Sequence, residues 1–277
     1  MVLDTAPARK LAYPNENTQW CETYALMAQQ GYSFSLADAT VAELVEQRYR
    51  GSLSADDCRK MCAKLETFLN PELPVLLGKI DIGGMLGLDE EPWSPDESRL
   101  LSLHAWSIVK RCSDPAAQLE SFKAELQDER NDWIALYDGW QRIHDKLQSE
   151  DPEDPIDVSS LTEAILSTME MRQEQWGTLT PPMSVRSHLS NRYHWRQFVR
   201  MQNKKGAYNP RSDKKVNDGI DADLYRYLVL PAFIVSEDNC FFGGLDDIQS
   251  FQKSWFFRPQ ALADEWQKGN KPKPIWG

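Results

Sequence analysis

The stretch Asp218–Asp238, DGIDADLYRYLVLPAFIVSED, decides the fold. Asp218, Asp221 and Asp223 open a short helical pattern, Pro231 ends it, and Phe233, Ile234 and Val235 form an apolar run before Glu237 and Asp238. Proline lacks the N–H that a helix interior requires and pushes the residue before it out of helical geometry. Phe, Ile and Val without polar alternation suit a strand covered on both faces, the usual state of a parallel strand. The stretch therefore predicts a helix leading into a parallel strand, with carboxylates at both ends. Open α/β sheets bind ligands outside the carboxyl ends of their strands, which puts Asp238 where chemistry is expected.

Upstream, Met1–Asp4 (MVLD) predicts a first strand ending in an acid, followed by a loop carrying Pro7 and Pro14. The spacing of Trp20, Tyr24 and Met27 predicts a helix from Asn15 to about Gln30, stopped by Gly31. Alternation of Tyr32, Phe34 and Leu36 predicts a second strand, after which Asp38 or Thr40 caps a helix with Glu43 in its first turn. A further helix starts at Ser54, and Val75, Leu76, Leu77 and Ile80 predict a third strand. From Ser94 helical signals dominate: Ser94-Pro95-Asp96-Glu97 is a cap, and Ser113-Asp114-Pro115 opens a second helix through Trp140. The charged connector Asp151–Asp157 (DPEDPID) precedes a helix over Leu161–Met171. Together these elements predict an α/β domain built from residues 1–93 and 184–277, with a helical insertion over 94–183.

A chain of 277 residues, 41% hydrophobic, has the length and composition to bury a sizeable core. It has no run of about 18 apolar residues, and its start lacks the order of a signal peptide. The expectation is a cytoplasmic protein with no membrane partner. Five cysteines are an odd number for a disulfide framework, so mostly buried free thiols are expected. A net charge of -11 speaks against nucleic acid, yet residues 186–215 hold nine bases and one acid. Arg192, Arg196 and Arg200 share one helical face, and Lys204, Lys205 and Arg211 extend it. That face predicts contacts to a phosphate backbone; the competing interpretation is a charged face paired with acids of the helical insertion. P-loop, dinucleotide and HExxH patterns are absent.

In chain order, acids stand at a first strand end (Asp4), an early helix start (Glu43), a late helix start (Asp218, Asp221) and a late strand end (Asp238). Leu3-Asp4-Thr5 resembles the first-strand D-T-N signature of PIN-domain nucleases, Ala42-Glu43-Leu44 resembles their second acid, and Asp221-Ala222-Asp223-Leu224 with Ile234–Asp238 resembles their late acid-to-VTxD unit. The resemblance covers the two ends of the chain. It implies a three-layer α/β/α sandwich around a parallel sheet, and a metal-dependent endoribonuclease. Mg²⁺ or Mn²⁺ would be held by Asp4, Glu43, Asp218, Asp221 and Asp238, of which Asp4, Glu43, Asp221 and Asp238 would be catalytic. Thr5 and Ser236 would orient the carboxylates. Asp221 is preferred to Asp223 because Leu224, Tyr225 and Leu228 lie on its side of the helix and should pack on the sheet.

Expected partners are single-stranded RNA and a protein inhibitor, as in a toxin or phage-defence effector, with a homo-oligomer left open. Ala6 stands where the signature has asparagine. That departure motivates the alternative of a catalytically inactive PIN-like module that binds RNA or protein. Ala6 also disfavours a phosphatase of the haloacid-dehalogenase type, which needs a second aspartate at that place.

Overall fold

The computed structural model describes residues 1–13, 18–78, 82, 93–119, 123–174, 183–203, 208–212, 215, 218–243 and 245–275. Its centre is a five-stranded sheet in which every neighbouring pair is parallel: β1 (Val2–Leu3), β2 (Ser35–Ala37), β3 (Val75–Leu76), β4 (Ile234–Val235) and β5 (Phe256–Phe257), in the order β3-β2-β1-β4-β5. β1 is central, pairing Leu3 with Leu36 on one side and with Val235 on the other. Eleven helices surround the sheet among the described residues, an arrangement compatible with an α/β/α sandwich. They are α1 (Thr5–Lys10), α2 (Gln19–Gln29), α3 (Asp38–Tyr49), α4 (Ala55–Leu65), α5 (Pro95–Arg111), α6 (Lys123–Glu150), α7 (Thr162–Glu174), α8 (Met183–Gln202), α9 (Asp218–Arg226), α10 (Asn239–Gly243) and α11 (Pro259–Gln267). Among the described residues no helix is long and apolar enough to cross a membrane.

Strands of two or three residues are held because their side chains are buried, not because they are long. Leu3, Leu36, Val75, Ile234 and Val235 are fully buried, and such burial is worth roughly 1.5–3 kcal/mol per side chain. A stack of Trp20, Tyr24, Phe34 and Phe68 fills the space beside the sheet, with Tyr24 and Phe34 centroids 4.6 Å apart. Cys21, Cys58, Cys62 and Cys112 are free and buried in the same core.

Local chemistry sets several boundaries. Ser54 with Asp57 and Ser94 with Glu97 form reciprocal capping boxes, so α4 and α5 begin where their side chains replace missing backbone partners. Gly31, at φ +90°, turns the chain out of α2.

Elsewhere the structure corrects the sequence expectations. Pro7 lies inside α1 and not in a loop, because the first turn of a helix needs no N–H from it. Glu43 sits in the second turn of α3, which begins at Asp38 after the cap residue Ala37. β2 is buried at all three positions, so it has no polar face for alternation to report. Phe233 precedes β4. The helix expected from Ser113 does not begin there: the Asp114 carboxylate accepts from Ala116 N in a turn of its own, and α6 is described from Lys123. The expected continuation of β3 to Ile80 and the start of α2 at Asn15 lie outside the described residues.

The helices assigned by sequence to an insertion are packed into the α/β part. Ser102 of α5 donates to Val75 O at 2.6 Å and accepts from Val75 N at 3.1 Å, supplying edge strand β3 with the partners a further strand would give. Trp133 of α6 lies against Gly219 of α9 so closely that an added Cβ would stand 3.0 Å from Trp133 Cβ. Glycine at 219 lets the helix bearing Asp221 approach.

A carboxylate cavity at the switch point of the sheet

The chain leaves β1 to build β2 and β3 on one side, then returns to place β4 and β5 on the other. The carboxyl ends of β1 and β4 therefore flank the point where strand order reverses, the place where such sheets open a crevice. Asp4 follows β1 directly and Asp238 follows β4 by three residues. A cavity of about 570 Å³ opens there, lined by Asp4, Thr5, Glu43, Asp221, Glu237 and Asp238 together with Arg9, Lys10, Tyr13 and Gln47.

Each acid is aimed by a different element. Asp4 is the N-cap of α1: Thr5 N donates to its Oδ1 at 2.6 Å, and the fully buried Ser236 donates from Oγ to its Oδ2 at 2.6 Å. Ser236 Oγ in turn accepts from Asp238 N at 3.1 Å, so one hydroxyl links the ends of β1 and β4. Thr5 Oγ1 donates to Glu43 Oε2, tying α1 to α3. Thr40 of the same helix donates to Leu3 O at 3.1 Å, which fixes α3 against β1. Asp221 comes from α9 and makes no hydrogen bond or ion pair with any described residue.

The electrostatics follow from that crowding. Burial pushes Asp221 well above the usual carboxylate range, and Asp4, Glu43, Asp238 and Asp218 add like charge. Burial likewise raises Glu43 to about 7, against the Thr5 hydrogen bond and with the charges of Asp4, Glu46 and Asp238. Asp4 is raised by burial, although the hydrogen bonds from Ser236 and Thr5 pull it back. Five acids face two bases in the lining, and Lys10 is engaged with Glu237 at 2.5 Å. Arg9 makes no ion pair among the described residues.

Other sequence candidates lie elsewhere. Asp218 is outside the cavity lining; its carboxylate is 3.5 Å from Lys215 Nζ, and burial raises it against the pull of Lys215 and Tyr208. Asp223 is buried and paired with Arg226 at 2.8 Å, whereas Asp221 faces the cavity.

The basic face of α8 is paired with acids. Arg192 reaches Glu163 at 3.3 Å, Arg196 reaches Asp247 at 2.6 Å and Arg211 reaches Asp138 at 2.5 Å, while Arg200 donates to Gln197 at 3.0 Å. None of these four lines the carboxylate cavity. Two of the acids, Glu163 and Asp138, belong to the helices of residues 94–183, the competing arrangement weighed for that face. Lys204 and Lys205 lie outside the described residues.

Glu237, Arg9 and Lys10 are cavity residues that sequence reasoning left out. Their signal was adjacency: Arg9 and Lys10 end the helix that Asp4 caps, and Glu237 precedes Asp238.

A cation fits the donor chemistry of this cavity. The donors are carboxylate oxygens, the kind that Mg²⁺ and Mn²⁺ select, and their mutual repulsion is compensated by few side-chain cations. No three His, Cys, Asp or Glu side chains among the described residues already stand so as to hold one ion together. No family model matches this chain, and neither a curated protein nor a solved structure matches it.

Proposed function

We propose that the protein hydrolyses phosphodiester bonds of single-stranded RNA with a divalent metal ion. The observation that carries this is the convergence of Asp4, Glu43, Asp221 and Asp238 from four chain segments on one cavity, where Asp221 has no described partner. Carboxylates so placed must take up protons or a cation, and at neutral pH a cation is the functional alternative. Mg²⁺ or Mn²⁺ held there by Asp4, Glu43, Asp221 and Asp238 would supply an activated water and stabilise charge on the phosphate oxygens.

The chain's own residues do the rest. Ser236 and Thr5 hold the Asp4 carboxylate in one orientation, and Thr5 also holds Glu43. Glu43, which burial raises to about 7 without a cation, would give up that proton on holding the ion and offer it a carboxylate oxygen. Arg9 is placed to meet a phosphate oxygen as a backbone contact without base readout. Lys10 does the same if substrate draws it from Glu237. This assigns the phosphate grip to α1 in place of the paired stripe on α8.

The test is cleavage of a labelled single-stranded RNA in Mn²⁺ or Mg²⁺. Cleavage lost in Asp4→Ala and in Asp238→Asn, with folding intact by circular dichroism, supports the proposal. No cleavage in any divalent metal would remove the enzyme and leave the binding module that Ala6 suggests.

A further inference from the structure

A second cavity lies in the helical region, independent of the carboxylate site. It holds about 320 Å³ between α6, α7 and α8, walled by Trp140, Ile143, Leu147, Ile165, Met169 and Trp195. Its outer wall is a helical stripe: Trp140, Ile143 and Leu147 recur at i, i+3 and i+7 on α6. Ile143 is 60% exposed and Leu147 49%, so the stripe is open to solvent at its outer edge. The Trp140 and Trp195 rings, 5.7 Å apart, are held within it. Trp195 Nε1 already donates to Thr162 Oγ1 at 3.0 Å, which leaves the ring to offer apolar surface. Exposed apolar surface collected around a cavity marks a binding surface more often than scattered leucines do.

The rim settles the charge of what would bind. From Ile143 to Met171 there are eight acids and one base, Lys146, so this stretch carries -7 of the chain's -11. Glu150, Asp151, Glu153 and Asp154 are exposed, and none is in an ion pair among the described residues. The Gln148 side chain clips the connector back onto α6, donating to Asp151 O at 2.8 Å and accepting from Ile156 N at 2.9 Å. The acids are thus held at the carboxyl end of α6, where no basic residue offsets the partial negative charge of the helix terminus. A nucleic acid or an anionic membrane would be repelled. A second copy would bring the α8 stripe already engaged with Glu163 and Asp247.

We propose that this groove docks a basic amphipathic helix of a partner protein. Apolar side chains at i, i+3 or i+4, and i+7 seat in the cavity, and flanking Lys or Arg lie against the acids of residues 145–157. The probe is a fluorescein-labelled 18-residue helical peptide of leucine and lysine with leucines on one stripe. Two controls accompany it, one with glutamate for lysine and one of the same composition with the leucines scattered.

The full chain should bind the striped lysine peptide at least tenfold more tightly than either control, by fluorescence polarisation. Leu147→Asp and Ile143→Asp, both at exposed positions, should each weaken binding at least tenfold, and a D151K/E153K/D154K variant should do so with a flatter salt dependence. Equal binding of the scattered peptide would mean charge alone and would overturn the proposal. So would unchanged binding by the two aspartate variants. A concentration-dependent dimer dissolved by Leu147→Asp would hand the groove to a second copy and overturn it too.

Discussion

The two cavities are built in opposite ways. The carboxylate cavity draws its acids from the cap of α1, from α3 and α9 and from the turn after β4, segments as much as 234 residues apart, and concentrates charge that its own side chains leave uncompensated. The apolar groove is formed largely by neighbouring helices and their connector, and its charge stands outside on the rim. In the first, burial raises the carboxyl pKa values. In the second, exposure makes apolar surface available. The difference shows that one chain builds a buried polar cavity at a sheet end and an open apolar one in a helical layer.

The largest effect expected of breaking the first region is on chemistry. Asp221→Asn removes one carboxylate from the cavity and should lower RNA cleavage by about 10²-fold or more, in line with loss of a transition-state charge group. The same substitution relieves repulsion and should raise Tm when no divalent ion is present. A stable variant with full activity would place the chemistry elsewhere.

Two buried groups, Glu43 in the carboxylate cavity and His194 outside both cavities, should also titrate in opposite senses. Glu43 has a folded pKa of about 7 against about 4.5 unfolded, so the folded state binds more protons between those values and stability falls as pH rises through them. Its share is roughly 3 kcal/mol at most, and it should shrink when Mn²⁺ or Mg²⁺ is added. His194 on α8 is depressed to about 4, by burial first and then by Arg226, against the hydrogen bond to Ser190. The unfolded chain then binds more protons from about 6.5 down to 4, and stability falls as pH falls, again by up to roughly 3 kcal/mol. Denaturant unfolding of Glu43→Gln and His194→Gln across pH 4–8 should flatten opposite flanks of the profile. Flattening of the same flank by both would contradict the assignment.

Gly219 is where α9, which bears Asp221, meets α6, which walls the groove farther along. Gly219→Ala places a methyl 3.0 Å from Trp133 Cβ, and overpacking of that kind costs about 1–3 kcal/mol. Thermal melting should report a lower Tm, and cleavage should fall as the helix bearing Asp221 is pushed outward. An unchanged Tm would show that α6 yields easily. The smallest effects belong to the paired surface. Arg196→Gln breaks an ion pair whose acid is 63% exposed, and should shift stability by less than about 1 kcal/mol. RNA binding should also be nearly unchanged; a large loss would return the phosphate grip to α8.

Much of the architecture was legible in local chemistry. The capping boxes at Ser54 and Ser94, the stop at Gly31 and the apolar run before Glu237 announced elements within a residue or two. Less was legible where a residue's role depends on what lies across from it. Pro7 looked like a breaker, because tolerance in a first turn depends on where the helix starts. For Arg192, Arg196 and Arg211 the sequence left phosphate contact and pairing with acids both open, since their partners Glu163, Asp247 and Asp138 are 29, 51 and 73 residues away.

By itself the sequence determined that acids stand beside strand ends and helix turns of an α/β chain, and that apolar residues recur at helical spacing through its middle. Periodicity, caps and turns act over a few residues, so they are written in adjacent positions. The helical spacing already preferred Asp221 to Asp223; only the tertiary structure decided that Asp223 pairs with Arg226, that Asp218 stands aside, and that Arg9 joins the acids. Those outcomes follow from the strand order β3-β2-β1-β4-β5, which brings the first and fourth strands together across most of the chain. Long-range pairing of that kind is set by burial of the whole core, and no short stretch encodes it.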